Sequence, residues 1–318
     1  MSGGRFFTTF GCAAALVLGG CGNLQPPAPG AAQRQGASPM KAGLSKQDLI
    51  YVTNRDSEVT VYNLATQAIV GVLTHFTSPM GECVDTSGNV YITDSSADEV
   101  FEYAHGGSKP IKTLNDSPDT PRTCAVDPTT GNLAVANDDG SSHEGNIAIW
   151  PEGSGQPTRY TNSTLYNFVG CAYDANGNLL TTNESAFAWL PHGGSTLVNV
   201  AIPPPKSGEK WGGIEGIQWD GHLFVLDGGQ YVYRVSVLHG LGYYIGYITL
   251  NNEGETGPYW IFIPKLKSQS AQILGGTYEG NNQYDVESFD YPGGGDPLFE
   301  ITHGIDVPIG VVVSPKTQ

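Results

Sequence analysis

The sequence predicts an all-β, six-bladed β-propeller, and three observations carry that expectation. A strand-turn pattern recurs: the marker aromatics Tyr62, Tyr103, Trp150, Trp189, Tyr233 and Tyr291 stand 41, 47, 39, 44 and 58 residues apart. Periods of this length, each with room for four short strands, are the signature of propeller blades. The 318 residues include 43 Gly and 21 Pro, a content that interrupts long helices and supplies tight turns. Finally, the first repeat, beginning at Leu49, lacks its opening strand, and VVVSP at residues 311–315 supplies one. A ring closed in this way removes the unpaired edges that an open stack of sheets exposes.

The elements follow in order. Arg5 precedes an apolar run, Phe6 to Leu18, too short to span a bilayer as a stable helix, so residues 1–20 read as a signal peptide. Leu18-Gly19-Gly20-Cys21 resembles the bacterial lipobox. That resemblance implies lipidation of Cys21 and anchoring in a bilayer, and Gly22 in place of Asp implies the outer membrane or surface of the cell envelope. Residues 21–47 contain no acid and no periodic apolar pattern and read as a flexible tether. Residues 48–318 are the propeller.

Within each repeat the first strand is short and apolar and ends at Asp85, Asp127, Asp174 or Asp220. SGN, TTGN and ANGN follow three of these, where Gly and Asn accept the positive φ of a hairpin. The second strand alternates, as VYIT, LAVA, LLTT and LFVL, and stops at Asp94, Asn137, Asn183 or Asp227. Those short polar side chains bond neighbouring backbone amides in a turn. The third strand carries the marker aromatic, and a Gly-rich turn leads into the fourth. YVTN, GNVYITDS and GNLAVAND at the ends of second strands resemble the NHL-type and TolB-like six-bladed propellers. With GECVD, FEYAHGGS and VVVSP they are similar to secreted bacterial propeller lipoproteins of unassigned activity. The resemblance spans residues 48–318 and implies a fold, not a chemistry.

The formal net charge is -16, from 15 basic and 31 acidic residues. All acids lie beyond residue 47, whereas Arg5, Arg34, Lys41 and Lys46 precede it, so the acidity belongs to the propeller. An acidic domain repels phosphate, which excludes nucleic acid as a partner. Of five cysteines, Cys12 leaves with the signal and Cys21 carries the lipid. Cys83, Cys124 and Cys171 remain, allow at most one disulfide, and are expected to pack mainly as buried thiols. No CxxC or HExxH motif supports zinc.

Two classes of function remain. The expected one is a monomeric, lipid-anchored scaffold that binds a protein, glycan or small molecule and uses no cofactor. The alternative comes from resemblance to the gluconolactonase or senescence-marker propellers, whose metal-holding positions fall here on Met80, Arg122, Val169, Glu215 and about Ile309. Of these only Glu215 ligates a cation, with Glu82 near it, which leaves few oxygens for Ca²⁺. Strand parity places Glu82, Arg122 and Glu215 around the channel mouth, where an Arg among carboxylates is expected to hold one acceptor group. Asp94, Asn137, Asn183 and Asp227 complete the candidate ligand-binding set. Thirteen acids, from Asp56 to Glu287, against Arg55 alone, are expected on the loops of that face. Trp211, in a Gly-rich insertion after Pro203–Pro205, is expected to pack rather than to cap the channel.

Overall fold

The computed structural model describes residues 40, 41, 43–55, 57–138, 145–206, 211–252, 256–264, 271–280 and 282–316. The expected signal peptide, Cys21 and most of the tether lie outside them. Six four-stranded antiparallel sheets form, and helix is confined to two 3-10 turns among the described residues. Blade one runs, from the axis outward, through Pro308–Ser314, Leu49–Asn54, Glu58–Asn63 and Ile69–Leu73. Its innermost strand is thus the C-terminal one, paired Ile50 to Val313, Tyr51 to Val312 and Val52 to Val311, which is the closure the sequence predicts. The innermost strands of blades two to five are Pro79–Val84, Pro121–Val126, Gly170–Tyr173 and Ile217–Trp219. Blade six begins at Thr256–Phe262, a strand hidden in the sequence because no Asp ends it and bulges interrupt its pairing. Its second strand, Gln272–Gly280, pairs with Gln283–Asp290.

Each blade has two apolar faces, so the cores lie between blades. Tyr91 and Val100 of blade two meet Val135 and Trp150 of blade three, and Val225 and Val232 of blade five meet Ile273 and Phe289 of blade six. The marker aromatics do not only pack: buried Tyr62 donates its hydroxyl proton to the His303 carbonyl oxygen at 2.7 Å. Trp211 packs edge-on against Phe187 and Tyr233 and donates Nε1–H to the Ile202 carbonyl, as expected of a core residue.

The expectation of three separate thiols is corrected. Cys83 and Cys124 form a disulfide with Cα atoms 5.5 Å apart, and among the described residues Cys171 is free and buried. Cys83 stands two residues before Asp85 and Cys124 three before Asp127, and where adjacent innermost strands converge on the axis this one-residue offset lets the two face each other within bridging distance.

The threonine of the VTN and ITD segments also belongs to this convergence. Thr93 Oγ1 lies 3.0 Å from both the Gly81 and the Arg122 carbonyl oxygens, linking innermost strands of blades two and three. Thr53 Oγ1 donates likewise to the Met80 carbonyl of the next blade. Strands this close leave no room for a side chain between them. A Cβ on Gly81 would stand 2.9 Å from the Arg122 carbonyl oxygen, so glycine is required there.

Candidate functional site

The innermost strands surround a central channel with two adjoining features. At the end where turns join first to second strands lies a cavity of about 750 Å³. Its wall includes the apolar Val84, Val126, Tyr173, Trp219, Phe262 and Val313, together with Asp48, Asp85 and Lys316. This volume is typical of small-molecule sites. Deeper along the axis lies a chamber of about 20 Å³, room for roughly one water molecule, lined by Glu82, Thr123, Glu215, Gln218 and Trp260. Glu82, Cys171 and Gln218 line both spaces.

Glu82 is held in an unusual state. It is 6% exposed, and neither carboxylate oxygen has a hydrogen-bond partner of good geometry among the described residues. Gly310 makes the space for it, since a Cβ there would run into Glu82 Oε2. Burial raises its pKa well above the ordinary carboxylate range, opposed in part by the Thr53 backbone. Cys171, sealed beside it, has its thiol pKa pushed up to about 12 by burial, which leaves it protonated and inert.

Trp260 was not legible as a site residue, because its strand was not. It sits in the left-handed region, φ 50°, within a bulged segment, an uncommon conformation for so large a side chain. Three neighbours fix it. Asp227 accepts its backbone N–H at 2.8 Å, Glu215 Oε2 accepts the indole Nε1–H, and the Arg122 guanidinium lies 5.5 Å from the ring centroid. Backbone strain held by specific partners is a recurrent mark of binding sites.

The expected trio is therefore divided. Glu82 and Glu215 share the chamber, whereas Arg122 lines neither space. Its guanidinium is drawn to the Trp260 face and to Asp138 Oδ2, 3.5 Å away, so the expectation of an Arg receiving a ligand acceptor inside the pocket is corrected. The larger cavity also opens on the hairpin face, opposite the one expected.

The four residues ending second strands act as brackets and line neither space. Asp94 accepts the Thr77 and Ser78 amides, and Asp227 accepts those of Glu215, Gly216 and Trp260. Asn183 accepts the Ala186 amide, and Asn137 donates to Asn146 Oδ1. Burial raises the Asp227 pKa to about 7 despite the three amides.

The acidic face is correspondingly weaker than expected. Asp94, Asp227, Asp285 and Glu287 are buried, and Asp56, Asp139 and Glu144 lie outside the described residues. Glu279, Asp285 and Glu287 bring carboxylate oxygens within 4.8 Å of one another on blade six, away from the channel. Burial, with Glu279 and Glu300 nearby, raises the Asp285 pKa to about 7.

No protein-family model matches the chain, and no curated protein does. Solved structures do match. A chain of the nidogen/laminin complex superposes with a TM-score of 0.61 at 13% identity, covering 86% of this chain and 100% of its own length. A protein of unknown function from Bacteroides caccae gives 0.60 at 11%, covering 84% and 99%. A functionally unknown protein from Desulfotomaculum acetoxidans gives 0.57 at 12%, covering 85% and 99%. At these identities the likeness shows the fold alone, and the fold of this chain is the six-bladed β-propeller.

Proposed function

We propose that the chain is a lipid-anchored, extracytoplasmic binding module of the NHL/TolB-like kind that holds a small ligand in its central cavity. The observation that carries this reading is the cavity of about 750 Å³ on the hairpin face, with aromatic side chains and several polar and charged ones in its wall. Tyr173, Trp219 and Phe262 supply apolar contact area, while Asp48 and Asp85 set an acidic rim. The same fold occurs in the nidogen/laminin complex, so a ring of this kind is compatible with scaffold roles. Anchoring at Cys21 through a tether would keep such a module at the envelope surface.

The test is a thermal-shift screen of the purified chain against amines, sugars, peptides, lactones and divalent metals, repeated with Trp219→Ala. Ligands that raise the melting temperature of the parent chain and not of the variant support the cavity. Stabilisation indifferent to Trp219→Ala refutes it. Metal-dependent turnover of a lactone would instead favour the gluconolactonase-like alternative, for which Glu215 at the axis is the candidate ligand. Detergent partition of Cys21→Ala tests the anchor, since a variant that stays with the membrane rules out lipidation as the attachment.

A further inference from the structure

We propose that Glu82 and Glu215 form a subsite for a primary ammonium group, belonging to a ligand whose apolar body lies in the hairpin-face cavity. The inference rests on the binding reading above and names the chemistry of its deepest contact. Its starting point is Glu82, whose buried carboxylate oxygens have no hydrogen-bond partner of good geometry among the described residues, the Thr53 backbone opposing its burial only in part. A buried carboxylate without donors is expensive, so it must either hold a proton or meet a cation. No basic side chain lines the chamber among the described residues. Arg122, on the adjacent innermost strand, is engaged by Trp260 and Asp138, and Lys316 lines only the outer cavity. Any cation that balances the ionised form therefore has to arrive from outside.

Size and ligand count select the kind of cation. A chamber of about 20 Å³ has room for roughly one water molecule, which suits a compact ammonium head better than a planar guanidinium. An ammonium brings three donors, and Glu82, Glu215 and the Gln218 amide oxygen offer acceptors around the same space. Calcium, by contrast, takes six to eight oxygens, more than two carboxylates and their neighbours present. Glu82 and Gln218 line both spaces, which therefore adjoin, so a ligand body against the aromatic walls would direct its head group at the chamber. Trp260 holds Glu215 in place through its indole N–H, and Gly310 keeps Glu82 unobstructed.

Isothermal titration of the intact chain with 2-phenylethylamine and its neutral analogue 2-phenylethanol tests this. The amine should bind at least about tenfold more tightly, as expected for a charge-assisted contact in a buried site. Glu82→Gln should abolish that preference while leaving the alcohol unchanged, and Glu215→Gln should reduce it, which covers the case in which the first variant folds poorly. Affinity for the amine should also rise with pH in the parent chain, because the ligand displaces a proton from Glu82, and this dependence should vanish in Glu82→Gln. Equal binding of amine and alcohol overturns the ammonium subsite and leaves the cavity standing. No binding of either at millimolar concentration overturns both readings. Calcium chloride that binds in a Glu82-dependent manner and displaces the amine reassigns the chamber to a metal and refutes the ammonium.

Discussion

Deleting residues 311–318 should open the ring, and the structure sets the size of the effect. Val311, Val312 and Val313 are 4, 0 and 1% exposed. Burial of a valine side chain contributes about 1.5 kcal/mol or more, so the three together contribute roughly 5 kcal/mol. The ladder to Leu49–Asn54 is lost as well, at around 1 kcal/mol for each hydrogen bond. So is the bond from the Ser314 hydroxyl to the Gly88 carbonyl in blade two, 2.6 Å long. Together these reach the whole stability of a typical domain, about 5–15 kcal/mol. The truncated chain should therefore lose its near-ultraviolet circular dichroism and its cooperative calorimetric transition. A graded variant guards against simple failure to express. Val312→Ala should cost about 2 kcal/mol and lower the melting temperature by roughly 4–8 °C. Val198→Ala, at a residue 50% exposed, should shift stability by less than about 0.5 kcal/mol. A truncated chain that melts within a degree of the parent, or a Val312→Ala shift no larger than that of Val198→Ala, would sink the closure.

Three further outcomes follow from the same geometry. Cys83→Ser with Cys124→Ser should lower stability by about 4 kcal/mol in urea titration, the loop-closure value for a sequence separation of 41; an unchanged midpoint would show that the bridge adds nothing. Asp227→Ala strands three backbone amides, of Glu215, Gly216 and Trp260, at roughly 1–3 kcal/mol each, and should redshift tryptophan emission as Trp260 loosens. Native emission and stability would instead make Asp227 dispensable. Burial raises Asp116, Asp227 and Asp285 to about 7, above the unfolded carboxylate value, so the folded chain binds protons more tightly than the unfolded one. The stability they contribute is full below the ordinary carboxylate range and is lost as pH rises through about 7; a melting temperature that climbs from pH 5 to 8 contradicts this.

The sequence disclosed the ring because its grammar is local. A hairpin Asp, an alternating strand and a marker aromatic each leave a fixed trace, and Asp85, Asp174 and Asp220 do accept the turn amides that their positions imply. What stayed hidden depends on how blades meet. The disulfide needed the knowledge that positions 83 and 124 face each other across a blade boundary, although both cysteines stand just before the end of their strands, a signal that was available. Trp260 was out of reach because its strand has no hairpin Asp and carries bulges. Arg122 was placed on the right strand and given the wrong neighbour, since the indole that attracts it belongs to the unread strand. The D/N residues closing second strands looked like ligands because carboxylates and amides serve equally well as turn brackets, and only their hydrogen bonds tell the two uses apart.

The immobility of Glu82 is what makes its charge consequential. An exposed or loosely held glutamate escapes an unfavourable site by turning into water, but residue 82 is fixed on both sides. Gly81 lies against the Arg122 backbone and Cys83 is bonded to blade three, so the strand cannot slide. Glu82 lines the channel and belongs to none of the interblade apolar clusters, so its polar group costs those cores nothing. The penalty falls on the channel alone, as one buried carboxyl group whose ionisation waits on a cation. A ligand that supplies that cation recovers this penalty on binding. The same fixed geometry that leaves Glu82 unsatisfied in the free chain thereby favours a charged head group over a neutral one of equal size.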